Sequence, residues 1–127
     1  MGYSIIIGEL PLDDPLQAPA LITRDNAPAF GEPTDYTNQR WPSYSDWESF
    51  AKATGLQDMF FNKKTGLMRK HPGMERLTKK HKQMVDKAMY EYEKKGEEDF
   101  NYNRLVWQKY WVDWALKYCH SPVFYNS

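Results

Sequence analysis

Residues 103–127 read NRLVWQKYWVDWALKYCHSPVFYNS, and this stretch decides the fold. Its first part places apolar residues around most of the girth of a helix: Leu105, Val106, Trp107, Tyr110, Trp111, Trp114, Ala115 and Tyr118. A helix that is apolar on nearly all sides belongs in the interior of a protein. His120-Ser121-Pro122 ends the pattern, and the β-branched and aromatic residues after it are typical of a strand. The stretch therefore predicts a central helix over 103–119, followed by a strand that returns to the body of the protein.

The N-terminal run YSIIIGEL, residues 3–10, predicts the strand beside which the C-terminal one would lie. ALITR, residues 20–24, is a candidate for a further short strand antiparallel to the first. Residues 25–42 contain three prolines and a glycine, which predicts a long loop.

Two more helices are predicted between these ends. Ser45 and Glu48 form a capping-box pattern that would start the first helix, and Gly55 would end it. Thr78 is the candidate cap of the second, whose apolar stripe has helical spacing: Leu77, His81, Met84, Val85, Ala88, Met89 and Tyr92. Between the two helices we expect one helical turn at LQDMFFN, a tight turn at NKKTG and an irregular connection at LMRKHPG.

Together these elements predict an α+β fold in one domain, which a chain of 127 residues is long enough to form. Three helices would pack on a small sheet formed by the terminal strands, at about 45–54, 78–95 and 103–119. We expect strands and a long loop over 1–42, a helical core over 43–119 and a C-terminal strand or tail over 120–127. An all-α fold with extended termini is the alternative.

Charge is unevenly distributed along a chain whose formal net charge is zero. Residues 1–61 carry a net charge of −6, residues 62–95 of +7 and residues 96–127 of −1. Proteins that coat nucleic acid are usually basic overall, which argues against nucleic acid as the partner. One basic segment on a neutral body indicates either a local anion site or a lysine-rich helix face in solvent.

Several classes of protein are excluded by what the sequence lacks. No apolar run approaches the roughly 18 residues of a membrane span, and MGYSIIIGEL lacks the charged flank of a signal peptide. The single cysteine, Cys119, excludes an internal disulfide and suits a reducing cytoplasm, where we expect the protein to reside. There is no CxxC and no HExxH, so we expect neither a metal nor a cofactor.

The sequence offers little for catalysis, and we expect no enzyme. A nucleophile elbow and a glycine-rich phosphate loop are both absent. The histidines His71, His81 and His120 could serve a phosphodiesterase as acid and base, but their spacing pairs none of them. We expect His81 and Cys119 to be packed side chains, since the first falls on an apolar stripe and the second ends an aromatic helix.

Three polar and aromatic groups remain as candidates for a ligand site: Arg40, Trp41 and Tyr44; Arg69, Lys70 and His71; and Asn103, Arg104 and Trp107. The first group precedes a helix N-terminus, where backbone N–H groups favour an anion. The second lies in LMRKHPG, where a Pro-Gly turn would present the basic side chains to an anion while the two residues before them are buried. The third opens the aromatic helix. If the groups converge, they form a cationic pocket with stacking surfaces, suited to a nucleotide.

Each group also has a structural interpretation. Trp41 and Tyr44 are equally suited to fixing the first helix to the core. Arg69 is equally suited to lying along an aromatic face, and Asn103 to capping the third helix.

Four segments carry a resemblance: YSIIIGE (3–9), PSYSDWESF (42–50), LMRKHPG (67–73) and the C-terminal stretch quoted first. Together they resemble a family of small uncharacterised proteins encoded by tailed bacteriophages, over nearly the whole chain. The family supplies no catalytic residues to carry over. The resemblance implies expression in an infected bacterial cytoplasm, where small phage proteins often block a host defence or redirect a host protein.

We therefore expect a non-enzymatic binding protein that captures a small anionic, nucleotide-derived ligand. Its most specific form is a phage protein that sequesters a signalling nucleotide of bacterial defence. A homo-oligomer is compatible with this, since symmetric interfaces often complete such pockets.

The alternative is a phage inhibitor that covers a host enzyme or a nucleic-acid-binding site by protein–protein contact. The two hypotheses differ in where Trp41, Tyr44, Arg69 and His71 lie. Capture requires them together in a concavity, whereas inhibition spreads them over a convex face.

Overall fold

A computed structural model describes residues 2–13, 17–32 and 35–127. Its elements in chain order are β1 (Ile5–Glu9), β2 (Gln39–Arg40), α1 (Tyr44–Thr54), α2 (Gln57–Phe61), β3 (Gly73–Arg76), α3 (Lys79–Glu93), α4 (Phe100–Tyr118) and β4 (Pro122–Asn126). The strands form one antiparallel sheet in the order β2-β1-β4-β3. The predicted α+β class is confirmed, and the sheet rules out the all-α alternative.

β1 and β4 form the centre of the sheet. Ile5 lies opposite Asn126, and Glu9 lies opposite Pro122. Backbone hydrogen bonds of 2.8 and 3.0 Å between Ser4 and Ser127 continue this ladder beyond the strands. The prediction that residues 123–126 return beside the N-terminal strand is confirmed. All three isoleucines of β1 are buried, as expected of a strand covered on both faces.

α4 is the central helix, as its sequence predicts. It contacts α1, α3 and both central strands, and Trp107 and Trp111 are at most 1% exposed. The helix begins at Phe100 rather than Asn103 because Asp99 is its N-cap, and the Asp99 carboxylate accepts a hydrogen bond from the Tyr102 N–H at 2.9 Å. The interpretation of Asn103 as the cap is therefore wrong.

α1 and α3 match the predicted helices, with one correction at a cap. The N-cap of α1 is Ser43, whose hydroxyl accepts from the Asp46 N–H at 3.1 Å, and Ser45 already lies inside the helix. The backbone before α1 is tied to the N-terminal segment. The Pro42 carbonyl accepts a hydrogen bond from the Tyr3 N–H, and Ser43 forms an isolated β-bridge with Gly2. The prediction of Thr78 as the cap of α3 is confirmed.

Two predicted connections differ from the structure. ALITR is not a strand; only Thr23 within it forms an isolated bridge, to Thr37. A buried amide holds this loop instead: Asn38 donates to the carbonyls of Ile7 and Ala20 and accepts from the Ile22 N–H, at 2.8 to 2.9 Å. LMRKHPG contains a cis His71–Pro72 bond and leads into the edge strand β3, which the sequence analysis missed.

No helix among the described residues is both long and apolar enough to cross a membrane.

Candidate functional site

One end of the sheet gathers four of the aromatic and imidazole rings, Tyr3, Trp41, Tyr44 and His71, which we call the aromatic–histidine cluster. The Tyr3 ring packs edge-on against Tyr44 and His71, with centroids 4.7 and 4.9 Å away. Trp41 is 64% exposed, and its indole N–H donates to the Ser4 hydroxyl at 3.2 Å. Three of the predicted site residues thus lie near one another on an exposed surface.

The orientation of His71 in this cluster is fixed from the interior. Asn126 is fully buried, and its amide Nδ2 donates to the carbonyl of Lys70 at 3.0 Å, so its Oδ1 is the acceptor left for His71. The Oδ1 accepts from His71 Nδ1 at 2.7 Å, which places the ring proton on that nitrogen. In the neutral ring the other nitrogen, Nε2, is then the acceptor, and it faces the Tyr44 hydroxyl at 3.3 Å.

Arg40 and Trp107 lie together elsewhere, inside the protein. The Arg40 guanidinium lies 5.4 Å from the centre of the Trp107 ring, is bonded to Asp35 at 2.8 Å and also pairs with Glu32. Arg40 is only 3% exposed. Its charge is therefore engaged within the fold rather than directed toward a ligand. The Trp107 indole N–H donates to the carbonyl of Thr37 at 2.9 Å, which anchors the same loop.

Arg104 and Asn103 occupy the start of α4. Arg104 is nearly buried and lies over the Phe100 ring at 4.4 Å, with the Asp46 carboxylate 3.8 Å away. Burial lowers the pKa of the Arg104 guanidinium from its ordinary value, against the effect of Asp46. Asn103 is half-buried within the helix, and its backbone N–H donates to Asp99. Arg104 thereby links α4 to Asp46 of α1.

Arg69 is directed away from the aromatic–histidine cluster by its ion pair. Arg69 pairs with Glu75 of β3 at 2.9 Å, while Lys70 is exposed. The two residues before them, Leu67 and Met68, are buried, as the sequence predicted. Arg69 lines a hollow that the other predicted site residues do not reach.

That hollow is part of a cationic groove along α3. A larger hollow of about 540 Å³ lies between the end of α1, α2 and α3, and a smaller one of about 320 Å³ lies between α2, β3 and the start of α3. Both are lined by Asp58, Met59 and Met84, so the two hollows adjoin at these residues, and we refer to them together as the cationic groove. Its basic residues are Lys52, Lys64, Arg69, Arg76, Lys80, Lys87 and Lys95.

The groove combines positive walls with an apolar floor. Three carboxylates also line it, Asp58, Glu75 and Glu91, so its net charge among the described residues is +4. The buried Met59 and half-buried Met84 form the floor between them. A volume of this size falls within the roughly 300–1,000 Å³ of ligand sites in proteins.

His81 and Cys119 are both half-buried and lie apart from the aromatic–histidine cluster. His81 is half-buried at the edge of the groove, where its Nδ1 accepts from the Thr78 N–H at 3.0 Å, and burial lowers its pKa. Burial, helped by Glu9, raises the pKa of the Cys119 thiol to about 11, so the thiol stays protonated near neutral pH. Among the described residues, no three His, Cys, Asp or Glu side chains are placed to hold a metal ion.

Seven of the nine predicted site residues separate into three places, whereas Lys70 is exposed and Asn103 is half-buried in α4. Trp41, Tyr44 and His71 lie at the sheet end, Arg40, Arg104 and Trp107 inside the fold, and Arg69 in the groove. Sequence reasoning missed the groove itself. The signal in the sequence is the recurrence of basic residues on α3 at helical spacing, a pattern that is compatible with an anion site and with a solvated helix face.

Comparison of this chain with protein-family models, with curated proteins and with solved structures finds no match.

Proposed function

We propose that this protein binds a small anionic ligand, of the nucleotide class, in the cationic groove along α3. The observation that carries the proposal is the juxtaposition of seven basic side chains and a methionine floor in one groove. Phosphate groups would meet the lysines, and a flat base would lie on the thioethers. Binding of this kind requires no catalytic group.

The local positive charge supports binding of an anion in the groove rather than a non-specific attraction of anions to the whole surface. The chain as a whole is neutral, so the groove is positive against a balanced background. An anion is then drawn to one place rather than to the whole surface. The resemblance to small phage proteins makes the signalling nucleotides of bacterial defence the first ligands to test, with sequestration as the role.

The test begins with native mass spectrometry of the protein purified from bacterial cells, before and after denaturation. Release of a molecule of nucleotide mass supports the proposal. If the purified protein carries no bound molecule, it is titrated with cyclic and linear signalling nucleotides in a calorimeter. An empty protein that binds none of them overturns the proposal.

Charge reversal in the groove provides the matched comparison. Lys87→Glu is expected to weaken binding about 10- to 100-fold, the loss of one charged hydrogen bond of roughly 1.5–3 kcal/mol. Lys79→Glu makes the same change on the same helix, outside the residues that line the groove. At about 0.15 M salt, where charges are screened over about 8 Å, its effect should stay within about twofold. Equal losses in both variants would mean that the groove is not the site.

The aromatic–histidine cluster favours a second candidate function, protein–protein inhibition. Trp41 and Tyr44 are exposed on the sheet end, away from the groove that Arg69 lines. This separation is the arrangement expected of a contact surface, and aromatic residues are enriched where such surfaces bind most strongly. A pull-down from host lysate with wild type and with Trp41→Ala tests it: a partner lost with Trp41 supports contact inhibition, and a partner retained by the variant contradicts it.

A further inference from the structure

Three side chains at the sheet end form a row that leads from the interior to the surface. Asn126 is fully buried, and its Oδ1 lies 2.7 Å from His71 Nδ1. His71 Nε2 lies 3.3 Å from the hydroxyl of Tyr44, which is 38% exposed. The row therefore ends on a phenol that solvent and a ligand can reach.

The row has a defined direction of proton transfer. The buried amide of Asn126 accepts a hydrogen bond from His71 Nδ1–H. In the neutral ring the lone pair is therefore on Nε2, where it faces the Tyr44 O–H. An orienting group, a base and a hydroxyl in this order are the parts of an activated nucleophile. A hydrogen bond of 3.3 Å is long, and such bonds commonly shorten when a substrate is bound.

The two most exposed tyrosines lack this arrangement. Tyr90 and Tyr118 are 63% and 57% exposed, more than Tyr44. Their rings face lysine ammonium groups, Lys94 at 4.4 Å and Lys117 at 5.3 Å. Within the described part of the chain, no histidine is recorded on either hydroxyl. Greater exposure alone would make these two the more reactive phenols, so Tyr44 can be compared with them inside one molecule.

We propose that Tyr44 is a nucleophile, with His71 as its general base, that accepts the phosphoryl group of a phosphoric ester. The Tyr44 oxygen forms a bond to phosphorus, and the bond from phosphorus to the leaving oxygen breaks with its electron pair. The phenolic proton moves to His71 Nε2, which passes it to the leaving oxygen. The products are a phosphotyrosyl ester and a free alcohol. One such event is covalent capture and does not require turnover.

The experiment uses benzenesulfonyl fluoride, whose tetrahedral sulfur stands in for phosphorus. The tyrosine oxygen bonds to sulfur, fluoride leaves, and the proton passes through His71 to water. Peptide mass spectrometry of the intact, folded protein follows each tyrosine over time. General bases contribute roughly 10²- to 10⁴-fold, so we expect Tyr44 to be modified at least ~10-fold faster than Tyr90 and Tyr118. A rate no higher than theirs overturns the proposal.

Two variants distinguish a role of His71 as a base from an effect of its substitution on folding. His71→Gln retains hydrogen-bonding groups but cannot take up the proton, so Tyr44 modification should fall at least ~10-fold while Tyr90 and Tyr118 keep their rates. Tyr44→Phe should remove this adduct and leave the others. Unchanged Tyr44 modification in His71→Gln overturns the role of His71. Because the probe carries no nucleotide, these outcomes are independent of whether the groove binds one.

Discussion

Arg40 has a different role in the structure from the one that its sequence context predicts. Ahead of a helix N-terminus it has the features of a phosphate ligand, yet its partners Asp35 and Glu32 come from the preceding loop. Sequence alone places Arg40 near both an anion site and two carboxylates. Only the tertiary fold, which buries Asp35 to 1% exposure, decides between them.

Removing one partner of this buried pair should therefore be costly. We expect Asp35→Asn to lower the free energy of unfolding by about 3 kcal/mol. This is the lower end of the range for breaking a buried ion pair, and we choose it because Glu32 still faces Arg40 in the variant. Urea denaturation measures the loss. Asp46→Asn is the matched control, since its side chain is 62% exposed and lies 3.8 Å from Arg104. That exposed pair should contribute less than about 1 kcal/mol. Equal losses would contradict the assignment of Arg40 to the core.

At the level of elements, caps and cross-helix charges were harder to predict than the helices themselves. The apolar spacing located α1, α3 and α4 because burial of one face depends on a pattern visible in sequence. The caps at Ser43 and Asp99 were missed because competing candidates, Ser45 and Asn103, stand two and four residues further on. Which of them caps depends on backbone bonds from distant segments, such as the one from Tyr3 to Pro42.

α3 and α4 are joined by a closed ring of alternating charges: Lys82, Asp86, Lys109 and Asp113. Its four N–O distances run from 2.7 to 3.1 Å. Partial burial alone would raise the pKa of Asp86, but hydrogen bonds from Lys109 and Lys82 outweigh it and lower the pKa. The sequence predicted lysines on the polar faces of α3, but it could not show that Lys82 meets α4.

Asp86→Asn should lower the free energy of unfolding by about 1 kcal/mol at low salt, the upper end of the range for surface ion pairs, because Asp86 belongs to a network of charges. The loss should shrink near 1 M salt, where the screening length is about 3 Å. Because the folded pKa of Asp86 is lowered, its contribution is complete above about pH 4 and is lost as the pH falls through the folded value. Thermal melts at several salt and pH values test this.

Glu93→Gln is the control for that series, an exposed carboxylate on the same helix outside the ring. Its effect should stay within about 0.5 kcal/mol. A salt-independent loss in Asp86→Asn would indicate that the ring acts through packing rather than charge.

At the scale of the whole molecule, the sheet depends on its last strand. β4 is the only described strand that pairs with β3, and it also pairs with β1 along five residues. The pairing of the two terminal strands was predictable because both are short runs rich in β-branched and aromatic residues, which are typical of strands. The edge strand β3 was not, because Gly73–Arg76 has no strand-like pattern and pairs only because β4 is beside it.

Truncation tests that dependence. A chain ending at Cys119 should lose its cooperative thermal transition and its near-ultraviolet circular dichroism, since β1 and β3 would both lose their central neighbour. Removal of Ser127 alone is the control and should preserve the transition, because every residue of β4 remains. A cooperative transition of unchanged midpoint in the longer truncation would show that the helices fold without the sheet.

The pairing of β1 with β4 also has a consequence during translation. The three isoleucines of β1 leave the ribosome early, but their main partner strand is synthesised only after all four helices. Until residues 122–126 emerge, β2 is the one described strand with which β1 can pair, over two residues. Until β4 has been made, the apolar run of β1 lacks most of the backbone pairing that it has in the folded sheet. The sheet is completed only when β4 inserts between β1 and β3, so the order of synthesis delays the formation of its centre.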